Sequence, residues 1–215
     1  MHRSDIFSPY SFESTITICI SQICGYKKLI DDITTLRKSP YLCENNEHEE
    51  KLQKLWNLLE PDEPLEARVT KQWTTIGFQG SDPKTDFRGM GLLGLENLVY
   101  FSKESTDLAR SVLLQSRNPA HEYSFAIVGI NITAMIVDLL LKNHLKNHFY
   151  NSIMGEPTIE DFHNIYICIF NDFHKHWLKD KPGIMNFNIY KEKYRRILLE
   201  KLRRKDCVLT LGQAS

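Results

Sequence analysis

The stretch TDFRGMGLLG, Thr85 to Gly94, decides how the rest of the chain is read. Gly89, Gly91 and Gly94 stand in the spacing G-x-G-x-x-G, which a dinucleotide-binding turn uses to bring its backbone close to a pyrophosphate. That reading demands a buried strand before the glycines and, after the next helix, a second parallel strand ending in an acidic residue. The residues before Gly89 are GSDPKTDFR, too polar and turn-like for a central strand, and the chain after Gly94 shows one helical pattern after another. The dinucleotide reading is therefore rejected. Gly89 and Gly91 are read as a sharp, positive-φ entry into a helix, with Gly94 admitting a neighbouring helix one turn later. Arg88 then becomes a long cation on a tightly packed corner. By residue type alone, its default is a solvated charge or a partner for Asp86.

Helical patterning extends outward from this corner on both sides. HEEKLQKLWNLLE places Leu52, Leu55, Trp56, Leu58 and Leu59 on one face and stops at Pro61. Pro64 predicts a further helix through LEARVTKQWTTIG, with Leu65, Val69, Trp73 and Ile76 inward. Asp82-Pro83 marks a turn. Phe12 to Leu36 is helical in pattern, with a break expected at Gly25. Beyond the glycines, LLGLENLVYF, STDLARSVLLQS and the apolar run from about Glu122 to Lys142 are all helical. Thr158 and Asp161, in capping-box spacing, open a helix that buries Phe162, Ile165, Tyr166, Ile169, Phe170 and Phe173 and ends before Pro182. Asn188 is expected to cap the last helix, IYKEKYRRILLEKLRRK. No alternating run is long enough to build a sheet, and there is no repeat or low-complexity linker. The fold class is thus all-α, a single compact multi-helix domain. Its expected divisions are a flexible N-terminus (1–10), a helical flank (11–44), the main domain (45–206) and a C-terminal tail frayed after Asp206 (207–215).

Composition bounds the function. The 215 residues are 42% hydrophobic and 25% charged, a globular profile. Lysine plus arginine (27) balance aspartate plus glutamate (27), so no global field draws the chain to nucleic acid or an anionic membrane. The five scattered cysteines include no C-x-x-C pair and read as reduced thiols, which points to a cytoplasmic setting. Asn131-Ile132-Thr133 is a formal glycosylation acceptor, but it lies inside an apolar helical run. No signal peptide is apparent. The most membrane-like segment, Phe125 to Leu141, falls short of the ~20 residues a span needs and carries Asn131 and Asp138.

Other chemistries leave little trace. His144 and His148 have metal-ligand spacing, but no glutamate of an H-E-x-x-H motif lies between them, and no third ligand is nearby. His174 and His176 fall on different helix faces. All four are expected to be surface histidines; no metal and no cofactor are assigned. No G-x-S-x-G elbow is present, and Cys168, in IYICIF, is expected to be a buried, inert thiol.

The longer stretch WTTIGFQGSDPKTDFRGMGLLGLENLVYF, Trp73 to Phe101, resembles the signature of the ELMO domain. Trp73, Gly77, Phe78, Gln79, Pro83, Thr85, Asp86, Phe87, Arg88 and Gly89 carry that likeness. ICGYKKL, KLWNLL, YSFAIVGINIT and FNIYKEKY extend it over about Phe12 to Leu209, and they look like the small, single-domain members of the family. Those members usually begin with a longer, more hydrophobic segment than MHRSDIFSPY, so a shorter form is expected here.

The resemblance implies GTPase activation toward a GTP-bound Arf-family small GTPase, especially the ADP-ribosylation-factor-like members. It also implies that Arg88 is the functional arginine, and a cytoplasmic protein associated with intracellular membranes or organelles, with peripheral membrane contact through the partner. A guanidinium offers fixed planar donors and a permanent charge to phosphate oxygens that become more negative in the transition state. Supplied in trans, such a group is worth ~10³–10⁵ in rate, about 4–7 kcal/mol of barrier. Around it, Asp86 is expected to cap the helix or orient Arg88, Thr85 to close the turn, Pro83 to stiffen the approach, and Gly89 and Gly91 to form the hinge. Phe78 and Phe87 are expected to anchor the loop and Trp73 the preceding helix. Gln79 is expected to be a buried amide satisfying loop backbone, with water positioning or partner binding as the other reading. The alternative function is a non-catalytic interaction module, a role the resemblance also permits.

Overall fold

A computed structural model describes residues 12–211. In it, α1 runs Phe12–Lys38, α2 Asn46–Leu59, α3 Gly91–Glu104, α4 Thr106–Ser116, α5 Phe125–Leu141, α6 Lys146–Ser152, α7 Ile159–Asp180 and α8 Phe187–Leu202. Three 3-10 segments, Lys71–Ile76, Pro83–Gly89 and Ile184–Asn186, lie in the connections. No strand occurs among the described residues, so the chain is all-α. The start signals work where the sequence supplies them. Thr158 and Asp161 form a reciprocal capping box at α7, and the Asn45 side chain accepts the Glu47 N–H at α2.

Five helices, α1, α2, α4, α5 and α7, pack against α3. Leu93, Leu95, Leu98 and Phe101 of α3 are fully enclosed. A buried polar group pins three of these helices together: Asn97 of α3 donates to the Thr133 hydroxyl of α5 at 2.9 Å, and its carbonyl meets His163 Nδ1 of α7 at 2.7 Å. Burial holds His163 down to about 4, so the imidazole is neutral at physiological pH and donates from Nδ1. Such a network rigidifies the core only while every member stays satisfied.

Several local expectations are overturned, each for a visible reason. No helix opens at Pro64; the chain stays irregular to Thr70. Carbonyls there are already taken by side chains: Trp56 Nε1 donates to Glu63 O, Gln72 Nε2 to Pro64 O, and Trp73 Nε1 to Arg68 O. Trp73 and Ile76 are buried as expected, but Val69 faces solvent. Gly25 does not break α1. A Cβ there would stand 2.7 Å from Glu156 Cα and 2.9 Å from Pro157 Cδ, so the glycine lets the α6–α7 link cross closely. The last helix begins at Phe187 after Asn186, not at Asn188; the Asn186 amide is committed to Pro182 O. Nor does the chain fray at Asp206. Cys207 and Leu209 are buried, and the Leu209 N–H donates to His148 Nδ1. The expected flexible stretch 1–10 lies outside the described residues. No single described helix is long and apolar enough to cross a membrane, and α5, the most apolar, forms the buried centre of the fold.

Candidate functional site

The TDFRG corner rests on a line of aromatic rings. Trp56 of α2 meets Trp73 edge-on at 5.4 Å between centroids, Trp73 meets Phe78 at 5.9 Å, Phe78 meets Phe87 at 5.6 Å, and Phe87 meets Tyr41 at 5.3 Å. Each such pair adds about 0.5–1.5 kcal/mol beyond the area it buries. Phe78 and Phe87 therefore anchor the loop at both ends, as the sequence suggested.

Two glycines shape the corner. Gly77 has φ +90°, and a Cβ on it would lie 2.3 Å from Phe125 N, so only glycine lets the loop cross the start of α5. Gly91 has φ +53°, with its Cβ direction blocked by Ser39 O at 2.3 Å and Arg37 O at 2.5 Å. There the C-terminal end of α1 meets the N-terminal end of α3, and Leu92 N donates to Ser39 O at 2.9 Å. The opposed partial charges of two helix ends are thereby paired. Gly89, by contrast, has no positive φ and no neighbour within 4 Å of an added Cβ, so only one of the two glycines supplies the hinge.

Between these anchors the chain makes a 3-10 turn whose N-cap is Asp82, with the buried Pro83 at its first position. Residues i and i+3 eclipse in such a turn. Arg88 accordingly lies over Thr85, and its Nε donates to Thr85 O at 2.9 Å. Arg88 is exposed, and among the described residues its terminal nitrogens make no hydrogen bond and no ion pair. The Thr85 hydroxyl donates to Asp82 O at 3.3 Å, which closes the turn. Asp86 caps no helix. Its carboxylate instead accepts the Gln79 backbone N–H at 2.9 Å, tying the two arms of the loop together. Burial pushes the Asp86 carboxyl above its ordinary value, against the pull of that N–H and of Arg88. Gln79 is not a buried amide: it is exposed, and only its backbone is engaged.

Sequence reasoning missed the second arginine of the site. Arg68 Nε reaches Glu49, its NH1 reaches Asp82 at 2.9 Å, and its guanidinium sits 5.9 Å over the Tyr41 ring. This cation is locked internally while Arg88 is not. Asp82 preceding Pro83 was the available signal; Arg68 itself carried none. Leu42, next to the Tyr41 that meets Phe87, and Val69, next to the Arg68 that meets Asp82, are exposed, and Lys84 reaches Cys43 Sγ at 3.7 Å.

The histidines are less exposed than expected: His148 and His174 are buried, the latter against the Tyr123 hydroxyl at 2.7 Å. Among the described residues no group of three or more His, Cys, Asp or Glu is placed to hold a metal. Burial pushes the Cys168 thiol up to about 11, which keeps it protonated and unreactive. A polar cleft of ≈ 640 Å³ runs along the Lys71–Ile76 segment. Glu60, Glu63 and Glu122 outnumber Arg117 on its walls, a charge balance unsuited to phosphate.

The described chain is thus all-α and holds the exposed guanidinium of Arg88 outward on a corner built from its own core. The chain belongs to the ELMO/CED-12 family, which it matches over residues 31–191. It is 52% identical to human ELMO domain-containing protein 2 over 185 residues, 86% of this chain and 63% of the human one. It is 46% identical to mouse ELMO domain-containing protein 1 over 213 residues, 91% of this chain and 65% of that protein. With Dictyostelium discoideum ELMO domain-containing protein B the identity is 43% over 176 residues, covering 81% and 60%. The chain spans less than two thirds of the length of these relatives. No solved structure matches it.

Proposed function

We propose that this chain is a GTPase-activating protein for Arf-family, especially Arf-like, GTPases, and that it inserts Arg88 into the nucleotide pocket of its GTP-bound partner. The observation that carries the reading is the state of that side chain. Arg88 is steered by one bond from Nε to Thr85 O, while both terminal nitrogens stay available. The family likeness of the TDFRG segment supports the choice of partner.

In hydrolysis the water oxygen bonds to the γ-phosphorus as the bond from that phosphorus to the β–γ bridging oxygen breaks. The electron pair leaves with GDP, and the water's proton goes to the released phosphate. Negative charge grows on the β- and γ-oxygens, and a preorganised guanidinium stabilises it without reorganisation. Arg88 is the residue that touches the reacting atoms. Thr85 orients it, Asp86 and Pro83 hold the turn, Phe87 anchors it, and Gly91 sets the corner against α1. Leu42 and Val69 provide apolar contact beside the cations Lys84 and Arg88, a combination suited to a partner that presents an anionic nucleotide.

Single-turnover hydrolysis by a panel of GTP-loaded Arf-family GTPases tests this. Wild-type protein should accelerate at least one of them, and both Arg88→Ala and Arg88→Lys should lose that acceleration. Equal rates with wild-type protein and Arg88→Ala eliminate the mechanism. GTP-dependent binding without acceleration leaves an interaction module.

A further inference from the structure

Gln79 and Arg88 are tied to two consecutive residues, Asp86 and Thr85. The Asp86 carboxylate takes the Gln79 N–H at 2.9 Å, and the carbonyl of Thr85, the residue before it, takes Arg88 Nε at 2.9 Å. Phe78, immediately before Gln79, is buried against Phe87, immediately before Arg88, with ring centroids 5.6 Å apart. Two long polar side chains therefore leave adjacent points of one rigid framework, each directly after a core-anchored phenylalanine. Both are exposed, and the Gln79 amide makes no hydrogen bond among the described residues. A glutamine needed only to satisfy loop backbone would be turned inward; here the backbone is satisfied by Asp86 instead.

We infer that Gln79 is a second group delivered into the partner's nucleotide site together with Arg88, its amide holding the attacking water against the γ-phosphate. This rests on the GTPase-activating reading above and deepens it. The chemistry suits an amide: its carbonyl accepts a hydrogen bond from the water, and its NH₂ donates to a γ-phosphate oxygen, with no net charge to repel the phosphate. Arg88 stabilises the leaving side of the same reaction. The consecutive residues Thr85 and Asp86 set the spacing between the two, so they enter as a pair.

The test compares wild type, Gln79→Ala, Gln79→Glu and Arg88→Ala on an Arf-like GTPase that the wild-type chain accelerates. Gln79→Ala should lower the single-turnover rate about 10²–10³-fold, the range for losing one preorganised polar group. Its melting temperature should not change, because the bond to Asp86 uses the backbone. Gln79→Glu should fall further, since a carboxylate repels the phosphate. Binding to the GTPase loaded with a non-hydrolysable GTP analogue should survive Gln79→Ala, whereas binding to the GDP–aluminium fluoride form should weaken. If Arg88→Ala abolishes acceleration while Gln79→Ala keeps the wild-type rate, this inference is overturned and the arginine reading stands. If Arg88→Ala matches wild type, both fall together.

Discussion

Asp86 accepts the backbone N–H of Gln79 at 2.9 Å, across the loop that carries Arg88. This single bond closes the TDFRG corner into a ring, and its loss should be felt in rate more than in fold. Asp86→Ala should reduce acceleration of the partner by about tenfold while costing only about 1 kcal/mol of stability, the net worth of one hydrogen bond. Asp86→Asn retains an acceptor oxygen and should keep most of the activity. Burial raises the Asp86 carboxyl, so its ionisation opposes folding above the ordinary carboxylate range. The asparagine variant should therefore be at least as stable as wild type at neutral pH in chemical denaturation.

The two arginines of the site should separate cleanly. Arg88→Ala removes an exposed side chain bonded only through Nε, so its melting curve should match wild type while hydrolysis stimulation disappears. Arg68→Ala leaves Glu49 and Asp82 without their shared cation. It should cost about 1–3 kcal/mol and lower the melting temperature by several degrees. Equal melting losses in the two variants would contradict the division of roles.

Neighbouring glycines should respond differently to one methyl group. Gly91→Ala forces a Cβ to within 2.3 Å of Ser39 O at a positive φ and must push the end of α1 away from α3. A loss of about 2 kcal/mol or more is expected. Gly89→Ala meets nothing within 4 Å and should be neutral in stability. Urea titrations of the two variants check this pair.

Acid should weaken the domain through three buried imidazoles. Burial holds His148, His163 and His174 each at about 4. Since their folded values lie below the ordinary 6.5, their neutral forms contribute fully above pH 6.5. That contribution is lost as pH falls from about 6.5 toward about 4, by on the order of 3 kcal/mol each at the limit. His148 Nδ1 must accept from Leu209, so its protonation also releases the C-terminal segment. Replacing His148 with Gln should flatten part of the acid limb of a stability–pH curve; an unchanged limb would exclude His148 as a contributor.

How much of this was legible depends on range. Helical faces such as Leu52–Leu59 and the Thr158–Asp161 cap are written in local spacing, and they appear where the sequence put them. Arg88 stood out only through its setting, the TDFRG segment, because one arginine among 27 basic residues carries no local mark. The failures came from tertiary contacts and from side chains that claim backbone groups several residues away. Gly25 looked like a helix break because the chain crossing it, at Glu156, lies far away in sequence. The Pro64 helix lost to indole N–H groups that claimed its carbonyls from Trp56 and Trp73. Gln79 looked like an inward amide because nothing nearby in sequence announces that the Asp86 carboxylate satisfies its backbone first.

The ring line beneath the loop has one more consequence. It begins with two indoles, Trp56 and Trp73, and reaches Phe87 beside Arg88 through ring-to-ring contact. A shift of the corner disturbs the surroundings of those indoles, while Trp177 stands in a separate cluster with Tyr123 and Tyr190. The ring line is thus a built-in optical gauge to be tested: a partner that docks on the corner should change intrinsic indole emission without any attached dye.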